Sequence, residues 1–124
     1  MLAREIMTRH VCTITPEASV REAARILAER RISGMPVLNE QGVIIGMCTE
    51  ADVISKRGEL VRDIMSTDII SVSEETPIGE IAQLLSHRKI KRVPVVTNGR
   101  LVGLVSRADI VAAVAAGHLL VREW

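Results

Sequence analysis

Two heptads of this sequence set a hydroxyl and a carboxylate three residues apart behind a glycine. They are Gly46-Met47-Cys48-Thr49-Glu50-Ala51-Asp52 and Gly103-Leu104-Val105-Ser106-Arg107-Ala108-Asp109. An apolar run precedes each (Val43, Ile44, Ile45; Leu101, Val102) and a helical pattern follows (Val53, Ile54; Ile110, Val111). The pattern spells a strand that passes through a glycine into the first turn of a helix. Unpaired N–H groups and the positive end of the helix dipole gather there, which suits an anion. A glycine lacks Cβ and permits close backbone approach. Thr49 or Ser106 can donate to a phosphate oxygen, and Asp52 or Asp109 can accept from a pair of sugar hydroxyls. The same letters also read as a capping box, with the hydroxyl at the N-cap and the acid at N3.

The elements that would position these groups come in two copies. Arg4-Glu5-Ile6-Met7 returns as Arg62-Asp63-Ile64-Met65, and Pro36-Val37 returns as Pro94-Val95. The repeats are expected at residues 1–58 and 59–124, joined near residues 56–59. Each opens with a short helical turn, followed by a strand rich in β-branched residues (11–15; 69–73). Ser19 with Glu22 forms a capping box, and Thr76 before Pro77 puts proline at the first helical position. Val20, Ala23, Ala24 and Leu27, like Ile78, Ile81, Ala82 and Leu85, have helical spacing and belong in a core. Pro36 and Pro94 open a further strand. Asn98-Gly99 is a two-residue hairpin signal, and Glu40-Gln41-Gly42 is its longer counterpart. The order is β-α-β-β-α, twice, an α/β (α+β) class with the two repeats packed by pseudo-twofold symmetry around a shared cleft.

Composition narrows the chemistry. With 124 residues, 48% hydrophobic and 25% charged, the chain reads as an ordinary globular protein. A formal charge of +1 gives no global pull toward nucleic acid or an anionic membrane. Trp124 is the only aromatic residue, so the core must be aliphatic and bases have no rings to stack on. Cys12 and Cys48 are expected as buried free thiols, because neither has CxxC spacing. His10, His87 and His118 share no ligand spacing, so no metal site is expected. Residues 1–7 carry Arg4 and Glu5 and do not read as a leader. Residues 110–121 are interrupted by Gly117 and His118 and do not read as a membrane span, so the expected location is cytoplasmic. No nucleophile elbow or Walker loop is present, and no enzyme is expected.

The chain resembles a tandem cystathionine-β-synthase (CBS) domain pair, the Bateman module. Three motifs carry the resemblance in both copies: Arg-(Glu/Asp)-Ile-Met, the apolar-Pro-Val strand start, and Gly-x-x-(Ser/Thr)-x-x-Asp. It implies a regulatory module that binds an adenosine-containing ligand (AMP, ADP, ATP, S-adenosylmethionine or an NAD-type molecule) in the cleft between repeats. By that resemblance Asp52 and Asp109 hold the ribose, and Thr49 and Ser106 reach phosphate. Backbone at Met35, Pro36 and Val37 and at Val93, Pro94 and Val95 clasps the adenine, with Thr15 and Ser73 as outer candidates.

The copies differ before the proline: Lys91-Arg92 in the second stands where Ser33-Gly34 stands in the first. Family members use similar basic residues to reach ligand phosphates, so Arg92 and Lys91 are assigned that role and Gly34 the matching place in the first copy. Arg88 and Lys89 read instead as a solvated helix end whose cations complement the dipole. A twofold homodimer is expected through the surplus apolar stretch at residues 110–116 with Leu119, Leu120 and Val121. The effector protein is unknown. A ligand-free dimerisation scaffold is the rival reading.

Overall fold

The computed structural model describes residues 1–118; Leu119, Leu120, Val121 and Trp124 lie outside the described residues. Along the chain run α1 (Ala3–Ile6), α2 (Val20–Arg30), β1 (Gly34–Leu38), β2 (Ile44–Thr49), α3 (Glu50–Ser55), α4 (Val61–Ile64), α5 (Ile78–Arg88), β3 (Arg92–Thr97), β4 (Arg100–Ser106) and α6 (Arg107–Ala115). They group into two compact units, the first Cys12–Ile69 and the second Met1–Val11 with the described residues from Ile70 on, 70–118. The units are therefore out of phase with the sequence repeats.

The first unit is built on the β1–β2 hairpin, in which Gly34 faces Thr49 and Val37 faces Gly46. Gly42 (φ 77°) turns the chain between the strands, and Asn39 Oδ1 accepts from the N–H of Gln41 (2.9 Å) and Val43 (3.0 Å). α2 starts behind Ser19, whose hydroxyl accepts from Glu22 N–H at 3.0 Å, as its spacing foretells. Ala23 and Leu27 on its inner face join Met35, Val37, Cys48, Val61 and Ile64 in an aliphatic core.

The second unit repeats the plan with β3–β4, where Arg92 faces Ser106 and Val95 faces Gly103. Its turn is the two-residue one, with Asn98 (φ 53°) and Gly99 (φ 78°) both left-handed as a primed hairpin turn requires. Ile81 and Leu85 of α5 pack with Ala3, Met7, Val93, Val95, Val105 and Ile110.

Two expectations change. The leading strands shrink to single parallel bridges, Ile14 with Val37 and Val72 with Val95. Turns closed by Ala18 N–H to Thr15 O and by Thr76 N–H to Ser73 O, each at 3.2 Å, bend the chain away at once. Pro77 is the N-cap of α5, not its first residue. Thr76 does not cap the helix, because its Oγ1 is taken by Ser73 N–H at 3.0 Å.

The opening turns form as expected, and they pack across the repeat boundary. α4 belongs to the first unit, with Val61 N–H donating to Ala18 O at 2.8 Å. α1 belongs to the second, with Ala3 N–H donating to Thr76 O at 2.8 Å. Each opening turn thus docks on the body of the other repeat. The acid of its motif closes the first turn of helix, since Glu5 and Asp63 carboxylates accept from Leu2 N–H (2.6 Å) and Leu60 N–H (2.9 Å). Backbone donors hold the Asp63 carboxyl below the usual carboxylate range. Among the described residues no helix is long and apolar enough to cross a membrane.

Candidate functional site

Close backbone approach does occur at the motif glycines, but what approaches is the chain itself. Ser66 and Met47 exchange backbone hydrogen bonds of 2.9 Å, and Thr8 and Leu104 exchange bonds of 2.8 and 3.0 Å. A Cβ on Gly46 would lie 2.8 Å from Met65 Sδ and 3.0 Å from Ser66 O. On Gly103 it would lie 2.7 Å from Met7 Sδ and 3.0 Å from Thr8 O. The methionine of one motif thus seats on the glycine of another.

After each glycine the strand enters a helix through a complete capping box. In the first unit Thr49 Oγ1 accepts from Asp52 N–H at 3.2 Å. Asp52 Oδ2 in turn accepts from Thr49 N–H and Oγ1–H, both at 3.0 Å. In the second, Ser106 Oγ accepts from Asp109 N–H at 3.2 Å, and Asp109 Oδ2 accepts from Ser106 N–H (2.8 Å) and Oγ–H (3.1 Å). The capping reading is therefore realised in both copies.

The outer oxygens differ. Asp52 Oδ1 accepts from Ser66 Oγ at 2.9 Å and pairs with Lys56 Nζ at 2.8 Å, and the residue is only 4% exposed. Burial opposes its ionisation. The hydrogen bonds from Lys56, the Thr49 amide, Ser66 and the Thr49 hydroxyl outweigh burial and hold the carboxyl below its ordinary value. Asp109 is half-buried, and its Oδ1 has no partner among the described residues. Lys56 and Ser66 escaped the sequence reading. Lys56 sits four residues after Asp52, a legible helical pairing. Ser66 reaches Asp52 only through the fold.

The hairpins bring the residues before each proline to the same place. Arg92 faces Ser106 across β3–β4, and Arg107 N–H donates to Lys91 O at 3.0 Å. In the first unit Gly34 faces Thr49, and Glu50 N–H donates to Ser33 O at 2.9 Å. Lys91 is exposed and Arg92 half-buried, beside the helix N-terminus that Ser106 caps. This gathers Arg92, Lys91, Ser106 and Asp109 at one end of one unit.

Other candidates lie elsewhere. Met35, Val37, Val93 and Val95 are completely buried core side chains, and Pro36 and Pro94 are buried with them. Only their backbone could meet a ligand in this conformation, and the Pro36 and Pro94 carbonyls already accept from Ile14 and Val72. Thr15 and Ser73 are exposed just past the parallel bridges, toward Leu38 and Val96 and so at the opposite strand end from Thr49 and Ser106. Ser73 lines an open groove of about 610 Å³ with Thr76, Glu80, Gln83 and His87. Cys48 is buried, and burial together with the Asp52 charge raises its thiol to about 11, against a smaller opposite effect of Lys56. Cys12 is half-buried rather than buried. Among the described residues no group of three His, Cys, Asp or Glu is placed to hold a metal ion.

Each unit is thus a hairpin flanked by helices, with a hydroxyl–carboxylate turn at the strand-to-helix junction. This defines an α/β protein built from a tandem repeat, each copy a short opening turn, a helix, a two-stranded hairpin and a closing helix. The chain belongs to the CBS domain family, with CBS domains at residues 3–59 and 61–116, and its fold is that of a CBS domain pair. The CBS domain-containing protein YhcV of Bacillus subtilis is 31% identical over 86% of this chain and 81% of its own length. Inosine-5'-monophosphate dehydrogenases of Thermoplasma acidophilum and Korarchaeum cryptofilum are 35% and 39% identical, but this chain spans only 22% and 23% of their length. Among solved structures, CBSX2 in complex with AMP matches with a TM-score of 0.90 at 25% identity, over 95% of this chain and 98% of that one. The CBS domain pair of protein MJ0100, in complex with 5'-methylthioadenosine and S-adenosyl-L-methionine, matches with a TM-score of 0.85 at 28% identity, over 94% and 98%.

Proposed function

We propose that this chain is a non-catalytic sensor that binds an adenosine-containing ligand and regulates an effector protein through differential binding. The observation that carries this reading is the gathering of Asp109, with an open carboxylate oxygen, Ser106 at a helix N-terminus, and Arg92 directly opposite. A carboxylate oxygen suits a ribose diol, while a hydroxyl, a helix start and a guanidinium suit phosphate. The ligands bound by CBSX2 and by the MJ0100 pair support the same class. AMP, ADP, ATP, S-adenosylmethionine and NAD-type molecules remain the candidate ligands.

Titration calorimetry with AMP tests the reading. Losing a charge-assisted contact costs about 1.5–3 kcal/mol, so Asp109→Ala should weaken AMP binding about 10- to 150-fold. Arg92→Gly should erase most discrimination between adenosine and its phosphates, while the exposed Arg88→Gly changes it little. Unchanged affinity in Asp109→Ala, with only a lowered melting temperature, would leave Asp109 a helix cap and nothing more.

A cytoplasmic homodimer completes the proposal. Within residues 110–116 the second unit already uses Ile110 and Ala113 for its core. Val111 (66% exposed) and Val114 (41%) are the surplus that a second copy would cover. Light scattering that returns the monomer mass at micromolar concentration, with and without AMP, would exclude the dimer.

A further inference from the structure

We infer that only the second-unit turn is open to a ligand's ribose, and that in the first unit Lys56 and Ser66 form a latch that keeps Asp52 closed. This rests on the adenosine reading above and specifies which turn serves it. A carboxylate offers about four lone-pair sites to donors. At Asp52 all four are filled: Thr49 N–H and Oγ1–H on Oδ2, Ser66 Oγ–H and Lys56 Nζ on Oδ1. At Asp109 two are filled, both on Oδ2, by Ser106 N–H and Oγ–H. Oδ1 there has no partner among the described residues.

The latch is satisfied on its other side too. An ammonium has three donors, and Lys56 Nζ meets Asp52 Oδ1 (2.8 Å), Ile64 O (3.1 Å) and Ser66 Oγ (3.4 Å). It ties the end of α3 to the segment that follows α4. For a ribose to take Asp52, its hydroxyls would have to displace this ammonium and strand a carboxylate that is 4% exposed. Exchanging a charged donor for a neutral one at a buried anion is unfavourable.

The second unit lacks both parts of the latch. The residue matching Lys56 is Ala113, buried inside α6. The residue matching Ser66, by their common bridge to the strand after the motif glycine, is Thr8. Thr8 is exposed, and its hydroxyl reaches no carboxylate among the described residues. The repeats have therefore diverged at the two positions that decide whether the turn's aspartate is available.

Stoichiometry of AMP binding, by calorimetry on the full chain, reads this directly. The wild type should bind one AMP per chain, and Asp109→Asn should weaken that site about 10-fold or more. Asp52→Asn should still bind one AMP, with affinity within about twofold, since the two turns share no hydrogen-bond partner among the described residues. Lys56→Ala with Ser66→Ala, which brings the first turn closer to the second, should raise the number bound toward two. Circular dichroism melts confirm that each variant is folded, and the double substitution answers the question even should Asp52→Asn fail to fold. Two AMP per wild-type chain, one of them lost in Asp52→Asn, would overturn the latch while leaving the adenosine reading intact. So would unchanged AMP affinity in Asp109→Asn, or a count that stays at one in the latch-free variant. No binding of AMP, ATP or S-adenosylmethionine by any variant would overturn the adenosine reading and the latch with it.

Discussion

Gly103→Ala tests the architectural account of the motif glycine, in which Met7 fills the space that the missing Cβ leaves. The glycine's φ is not in the left-handed region, so backbone strain does not arise. At such positions Gly→Ala ordinarily stabilises by about 0.4–1 kcal/mol, because the unfolded chain loses freedom. Here the new Cβ would sit 2.7 Å from Met7 Sδ, 2.9 Å from Met7 Cγ and 3.0 Å from Thr8 O. Met7 is 7% exposed and packed in the second unit's core, so it has little room to withdraw. Thr8 O is held by the hydrogen bond it accepts from Leu104 N–H at 3.0 Å. Overpacking of this kind costs about 1–3 kcal/mol, so after the entropic gain the net loss should be about 1–2 kcal/mol. With a urea slope of about 2 kcal/mol/M, the midpoint should fall by about 0.5–1 M. A double-mutant cycle with Met7→Ala should return a coupling of about 1 kcal/mol or more, because the two changes relieve one another. A rise in the urea midpoint, or a coupling near zero, would refute the claim that Met7 occupies the space the glycine leaves.

Two further expectations follow from the buried groups around Asp52. Its carboxyl is held below its ordinary value, so its contribution is fully present above about pH 4 and is lost as pH falls through the lower, folded value. Asp52→Asn should cost about 1.5–3 kcal/mol at pH 7, and urea melts should show the gap to wild type closing below that range; a gap unchanged down to pH 2.5 would contradict it. Cys48, buried and raised to about 11, should resist a thiol reagent at pH 8 until the protein unfolds, while half-buried Cys12 reacts in the native state. Peptide mass mapping that finds both thiols labelled at equal rates in folded protein would contradict that.

Much of the secondary structure was legible because its signals are local. Ser19 and Glu22, the helical spacing of Leu27 and Leu85, and Asn98-Gly99 act within a few residues, and each does in the fold what its spacing foretells. So do Thr49-x-x-Asp52 and Ser106-x-x-Asp109, whose capping boxes close over three residues. The left-handed ends of α2 and α5 were not legible, because Arg31 and Lys89 stand where glycine would give the signal. Their cost is met by hydrogen bonds from Ile32 and Ile90 N–H to the Leu27 and Leu85 carbonyls, each at 3.1 Å.

Duplication showed that the same hydroxyl and acid recur, and Lys56, where the second copy has Ala113, was the one local sign that the two aspartates differ. Their difference depends on residues brought in from outside the turn. Ser66 lies fourteen positions from Asp52 and reaches it only because α4 docks on the first unit and Met65 seats on Gly46. Likewise, Arg92 and Ser106 are fourteen positions apart, and only the hairpin register sets them face to face. Local patterns determined which turns and caps form, since their partners are near in sequence. Tertiary structure decided which carboxylate is left open, since the availability of a buried acid depends on every donor that packing brings to it.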